Sequence, residues 1–312
     1  MRSENSIRDQ TDWTLAGSSG WFTAGNGTDG VLRLASVQIV RQRLNSRTGA
    51  LLATTALVAA TTFAPDAAYA QTDWTGQFSS NWFLSGNWTA SFPRQTTDGN
   101  IDTVTPNPTE VTSTGALAQN LSVGSNGTGM LTIQTGGTLA DSFGTVGNLP
   151  RGRGTVMVTG LGSSWSNAGS VVVGGQGIGS LTIQEGGTVS SGGSSVGLTA
   201  GSTGTVTVTG PASSWTNGPS GGLNIGSFGT GTLTIASGGR VNNTTALNAA
   251  NIGNSAGSLG LVTVTGIDST WSNLLGVNIG NFGTGTFDCG RRSGYSAWAH
   301  CDRDKCRSDW NT

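Results

Sequence analysis

Seven carboxylates lie between Gln71 and Thr286: Asp73, Asp98, Asp102, Glu110, Asp141, Glu185 and Asp268. Cleavage of a glycosidic bond needs two of them paired across a substrate. Asp98 and Asp102 are the only candidate pair, and their setting in a loop suits a solvated turn better than an acid–base couple. Serines are abundant, but a serine nucleophile needs a base, and the single histidine, His300, lies in an atypical C-terminal tail. Cys301 and Cys306 in CDRDKC have the spacing of half a zinc finger with no second pair after them. The lone lysine, Lys305, leaves no phosphate-binding G-x-x-x-x-G-K-[ST] loop. These residues argue against an enzyme and imply no metal and no cofactor.

Trp165, Trp215 and Trp271 are the remaining candidates. They recur in VTGLGSSWSN, VTGPASSWTN and VTGIDSTWSN. An exposed stripe of the three would bind glycans or a partner surface; a buried column, with each indole N–H bonded to neighbouring Ser or Asn, would fill a corner of the fold. The spacing of two coil heights, about 10 Å, is too wide for direct ring stacking.

These tryptophans belong to one short phrase said repeatedly. Leu131-Thr132-Ile133, Val156-Met157-Val158, Leu181-Thr182-Ile183, Val206-Thr207-Val208, Leu233-Thr234-Ile235 and Val262-Thr263-Val264 start 25, 25, 25, 27 and 29 residues apart. Two versions alternate, one running into a Gly-Gly turn (LTIQTGGTL, LTIQEGGTV, LTIASGGRV) and the other into the tryptophan segment. Apolar residues at i and i+2 share one face of an extended strand. Such a strand is too short to bury that face alone, so like strands must stack from coil to coil. The expected fold is all-β, a right-handed parallel β-helix of about 25-residue coils. The calcium-loop signature of a β-roll, the competing solenoid, is absent from these repeats.

Composition agrees with this architecture. Only 10% of residues are charged, the net charge is −1 and there are 52 glycines, suited to tight corners. Near-neutrality gives no attraction for nucleic acid.

The chain divides into five parts. Residues 1–40 contain TDWTLAGSSGWFTAGN, answered at Thr72–Asn87 by TDWTGQFSSNWFLSGN with ten of sixteen positions identical; this is expected to be a false or remnant extension. Residues 41–70 have the form of a signal peptide: basic Arg41, Arg43 and Arg47, an apolar Ala50–Ala64 run, and Ala68-Tyr69-Ala70 before cleavage between Ala70 and Gln71. The apolar run is too short to span a bilayer core of about 30 Å, so the mature chain is expected to have no membrane span. Residues 71–120, with Trp74, Trp82 and Trp88, form an aromatic-rich cap segment. Residues 121–286 are the β-helix repeats. Residues 287–312 break the phrase, and reading their degenerate codons one base later restores repeat-like residues at both ends; a frameshift near codon 286 is the expectation.

With the signal, the TDWTG…W…GNW segment and the coils VGSNGTGMLTIQTGG and IGSFGTGTLTIASGG, residues 41–286 resemble the passenger domain of type V autotransporters. The likeness is to large proteobacterial surface proteins with autotransporter-associated β-strand repeats. It implies export through the Sec route and a structural or adhesive role, with surface glycans or self-association as the partners. It also implies a C-terminal outer-membrane barrel that is missing from the sequence after residue 286. Relatives sit at the outer membrane, and this truncated chain is expected to be periplasmic or secreted. A glycan-binding or glycan-active helix using the tryptophan stripe is the alternative, and a non-functional frameshifted fragment is another.

Overall fold

The computed structural model describes residues 70–218 and 221–289, with the backbone of His300–Asp302 and Lys305–Arg307. The duplicated TDWT segment before residue 41, the basic and apolar parts of the signal and most of the tail lie outside the described residues.

The described chain is a parallel β-helix built from three sheets that it visits in turn. The first sheet runs from Ala70–Asp73 to Val277–Ile279, the second from Thr109–Val111 to Thr284–Cys289, and the third from Ala116–Leu117 to Thr270–Asn273. Every rung pairs with the equivalent rung one coil later: Leu181 pairs with Val206 and Ile183 with Val208, and Val206 in turn pairs with Leu233. Alternation does the rest. Leu131, Val156, Leu181, Val206, Leu233 and Val262 point inward and are fully buried, while the middle residue of each triplet, threonine in all but Met157, takes the opposite face. Backbone hydrogen bonds run between coils, so no three-residue strand has to stand alone. The parallel order ends in the third sheet, where Lys305–Arg307 adds antiparallel to Thr270–Asn273 and His300–Asp302 pairs with it.

The stack is longer than its repeated phrase. Ala70–Asp73 already pairs with Thr97–Ile101, which pairs with Asn120–Val123, so the segment before residue 121 belongs to the same sheets. Its strands lack the Leu-Thr-Ile triplet and bury one or two residues each, such as Ile101, Val111 and Ala116. At the other end Phe287, Asp288 and Cys289 hold the register of Val262, Thr263 and Val264, and Cys289 is disulfide-bonded.

Residues 74–92 close the N-terminal end. Trp74, Trp82 and Trp88 are buried, with centroids 5.1 Å (Trp74–Trp88) and 4.8 Å (Trp82–Trp88) apart in edge-to-face geometry. Asn87 fixes the loop around them: its Oδ1 accepts from the amides of Phe78 and Ser79, and its Nδ2 donates to Ser79 Oγ and Asn81 O. All four of its bonding positions are filled.

Glycine is required where the chain turns from the first sheet into the second. Gly174 has φ +73°, and a methyl on Gly179, five residues on, would overlap the Val146 carbonyl and the Gly174 amide. The same pair recurs at Gly197 and Gly204 and at Gly226 and Gly231.

The alternation of two phrases has a physical cause inside the coil. In the third sheet the inward file reads Leu139, Trp165, Val189, Trp215, Val241, Trp271. In the first sheet the inward file reads Leu121, Gly144, Val171, Ser194, Leu223, Ala250. Each coil with a tryptophan therefore carries Gly, Ser or Ala on the first sheet and Val-x-Val on the second. Each coil without one carries Leu or Val on the first sheet and Leu-x-Ile on the second. Interior volume stays nearly constant, as close packing demands. A second link joins neighbouring coils. Ser163, Ser213 and Ser269, all fully buried, accept from the Gly136, Gly186 and Gly238 amides at 3.1, 3.0 and 3.1 Å. The serine of each tryptophan coil thus satisfies the Gly-Gly turn of an adjacent coil.

Candidate binding face

The three tryptophans form an interior column. Trp165, Trp215 and Trp271 are 1%, 0% and 1% exposed, so they present no surface to a glycan, and the exposed-stripe arrangement does not exist. They are separated by Val189 and Val241, as their two-coil spacing requires. Their hydrogen bonding also departs from the expected Ser/Asn partners: Trp165 Nε1 donates to Asp141 Oδ1 at 3.2 Å, while Trp215 and Trp271 Nε1 are buried without a partner. At the place one coil down that Asp141 takes for Trp165, Ser191 stands for Trp215 and Asn243 for Trp271.

Asp141 begins a buried polar file continued by Asn167, Ser191, Asn217, Asn243 and Asn273. Asn167 Nδ2 donates to its Oδ1 at 2.7 Å, and its Oδ2 is buried with no partner. Burial raises the carboxyl from its ordinary value to about 7, against the lowering effect of the bonds from Asn167 and Trp165. It is enclosed by the interior and serves packing. Sequence reading passed over it because one acid in one coil makes no column.

Asp98 and Asp102 are each engaged in holding the backbone. Asp98 Oδ1 accepts from Asn120 N and Nδ2, and Asp102 accepts from the Asn126 and Gly127 amides. No group of three or more His, Cys, Asp or Glu positioned for a metal ion occurs among the described residues. Ala70 and Gln71 are exposed at the start of the first strand, so a cut between them trims that strand by one residue. The side chains of His300, Cys301 and Cys306 lie outside the described residues.

The face that remains is the outer surface of the first sheet. Its central file of outward side chains begins Asn100, Ser122, Thr145 and passes through Val172 and Ser195. It ends in an amide ladder: Asn251 Nδ2 donates to Asn224 Oδ1 at 2.8 Å, and Asn278 Nδ2 to Asn251 Oδ1 at 2.9 Å. Along the N-terminal half, beside this file, runs a groove of about 320 Å³ bounded by Asp98, Asn120, Phe143 and Asn148. A second groove, of about 350 Å³, continues on the next strands over Ser195, Asn224 and Asn251. Phe143 is 54% exposed, and its ring rests on Gly169, where a methyl would meet Cε1 at 2.6 Å. Asn100 and Ser122 are among the residues lining the first groove, although the Oδ1 of the one and the Oγ of the other are buried, without a protein partner. Neither groove is lined by a lysine or arginine.

No family model, curated protein or solved structure matches this chain.

Proposed function

We propose that this chain is an exported, non-catalytic β-helical scaffold of the autotransporter-passenger kind, acting in adhesion or self-association. The observation that carries the reading is the division of labour between inside and outside. The interior is filled coil by coil with aliphatic and indole side chains, and the few acids within the described repeats are spent on turns, strand edges and one buried contact. The outside is left as long ordered faces of Thr, Ser and Asn, such as Thr203, Thr205 and Thr207 beside Thr230, Thr232 and Thr234. Repetition of neutral polar side chains on a rigid rail suits many weak contacts in parallel, where avidity replaces a deep pocket. Export rests on the signal-like residues 41–70, and the passenger assignment on the repeat phrases.

The test is expression of the gene in a Gram-negative host, with N-terminal sequencing of the product outside the cytoplasm and sedimentation of beads coated with it. A mature N-terminus at Gln71 and bead clumping are expected. Retention of an uncut chain in the cytoplasm, or turnover of a polysaccharide by the purified protein, would overturn the reading.

A further inference from the structure

The geometry points to the outer face of the first sheet as a binding site for a neutral polysaccharide laid along the coil axis, with Phe143 as its stacking platform. This deepens the scaffold reading and rests on it, since it gives that scaffold a ligand class and a place to hold it.

Several features converge on one groove. Sugar rings offer a C–H face and a rim of hydroxyls, so a site for them pairs an aromatic ring with planar amides and carboxylates. Phe143 supplies the ring. It stands 54% exposed on the strand exterior, and the missing side chain of Gly169 clears the space that seats it. The rim comes from Asn120 and Asn148 and from Asp98, whose Oδ1 is tied to Asn120 while Oδ2 carries no protein bond among the described residues. Asn120 spends one N–H on that bond and keeps its Oδ1 as an acceptor.

Charge decides the class of glycan. With no lysine or arginine in either groove and one carboxylate in the first, an anionic polymer meets no counter-charge and some repulsion. A neutral chain meets none. Length follows from the sheet: outward side chains repeat every ~4.8 Å along the axis, close to the advance of one pyranose in an extended polysaccharide. The second groove, over Ser195 and the Asn224–Asn251 ladder, continues the same track. A polymer can therefore gain contacts in both, whereas a monosaccharide gains one set.

The experiment is calorimetric titration of the purified full chain with three probes: a cello-oligosaccharide series, soluble mannan and the anionic polymer alginate. Phe143→Ala is compared with Leu161→Ser, a change at a still more exposed apolar residue on a different corner. Binding of at least one neutral polymer, tightening with chain length, is expected, with no heat from alginate. Phe143→Ala should weaken it tenfold or more at unchanged Tm, and Leu161→Ser should bind as the parent does. Absence of binding by both neutral probes, equal binding of alginate, or full binding by Phe143→Ala would overturn the proposal. Bead clumping that persists in Phe143→Ala separates the two readings: the scaffold role then stands without this groove.

Discussion

Gly144 and Trp165 fit one another across the interior of a single coil: a methyl on Gly144 would overlap Cζ2 of the indole. Each residue type is intelligible only through the other. Gly144→Val should cost about 1–3 kcal/mol by overpacking, and Trp165→Val about 3 kcal/mol by leaving a void. The double variant rebuilds the volume pattern of the neighbouring coil, so it should be less damaging than the sum. A coupling of about 0.5–3 kcal/mol in a denaturant double-mutant cycle is the expected result.

Trp215→Ala tests the column without a compensating change. The loss expected is about 3–5 kcal/mol, read as a lowered Tm. A Tm equal to that of the parent would contradict the complete burial of this residue.

Ser213 is fully buried and its Oγ accepts from the Gly186 amide at 3.0 Å. Ser213→Ala leaves that amide without a partner and should cost about 1–3 kcal/mol. Ser214→Ala, on the neighbouring outward-facing residue, should stay within about 0.5 kcal/mol. Urea unfolding of the two variants makes the comparison.

Asp141 gives stability a pH dependence of unusual sign. Its folded-state value, about 7, lies above the ordinary 3.8, so the native state holds a proton that the unfolded chain releases. The contribution is complete below pH ~4 and falls away as pH rises to about 7, by a few kcal/mol in all. Asp141→Asn keeps the shape and removes the charge. Thermal melts between pH 4 and 8 should show a falling Tm in the parent and a flatter profile in the variant, which is the more stable of the two at pH 8.

The parallel stack was readable because the Leu-Thr-Ile triplet repeats with its alternation intact, and a strand that short has no other way to bury two residues. The inward direction of the tryptophans was harder to read. Leu139 follows Leu131 by eight residues, but Trp165 follows Val156 by nine, and the two are direct partners in the sheet. The Gly-Gly corner is one residue shorter than the tryptophan corner, and one residue reverses which face a strand residue takes. The same offset concealed Asp141. The early coils went unread for a different reason: Ile101, Val111 and Ala116 are each held by stacking and carry no recognisable phrase. The first-sheet groove has no motif, since Phe143 acquires its setting from Gly169, twenty-six residues later.

Because bulky and slender rungs interlock in pairs, the smallest segment this molecule can gain or lose without rebuilding its interior is a doublet. Excising a single rung would set two indoles directly against each other and orphan a serine from its turn. Growth and shrinkage of such a chain through gene recombination should therefore proceed in even steps, and lengths that differ by an odd step should carry fresh compensating substitutions at the join.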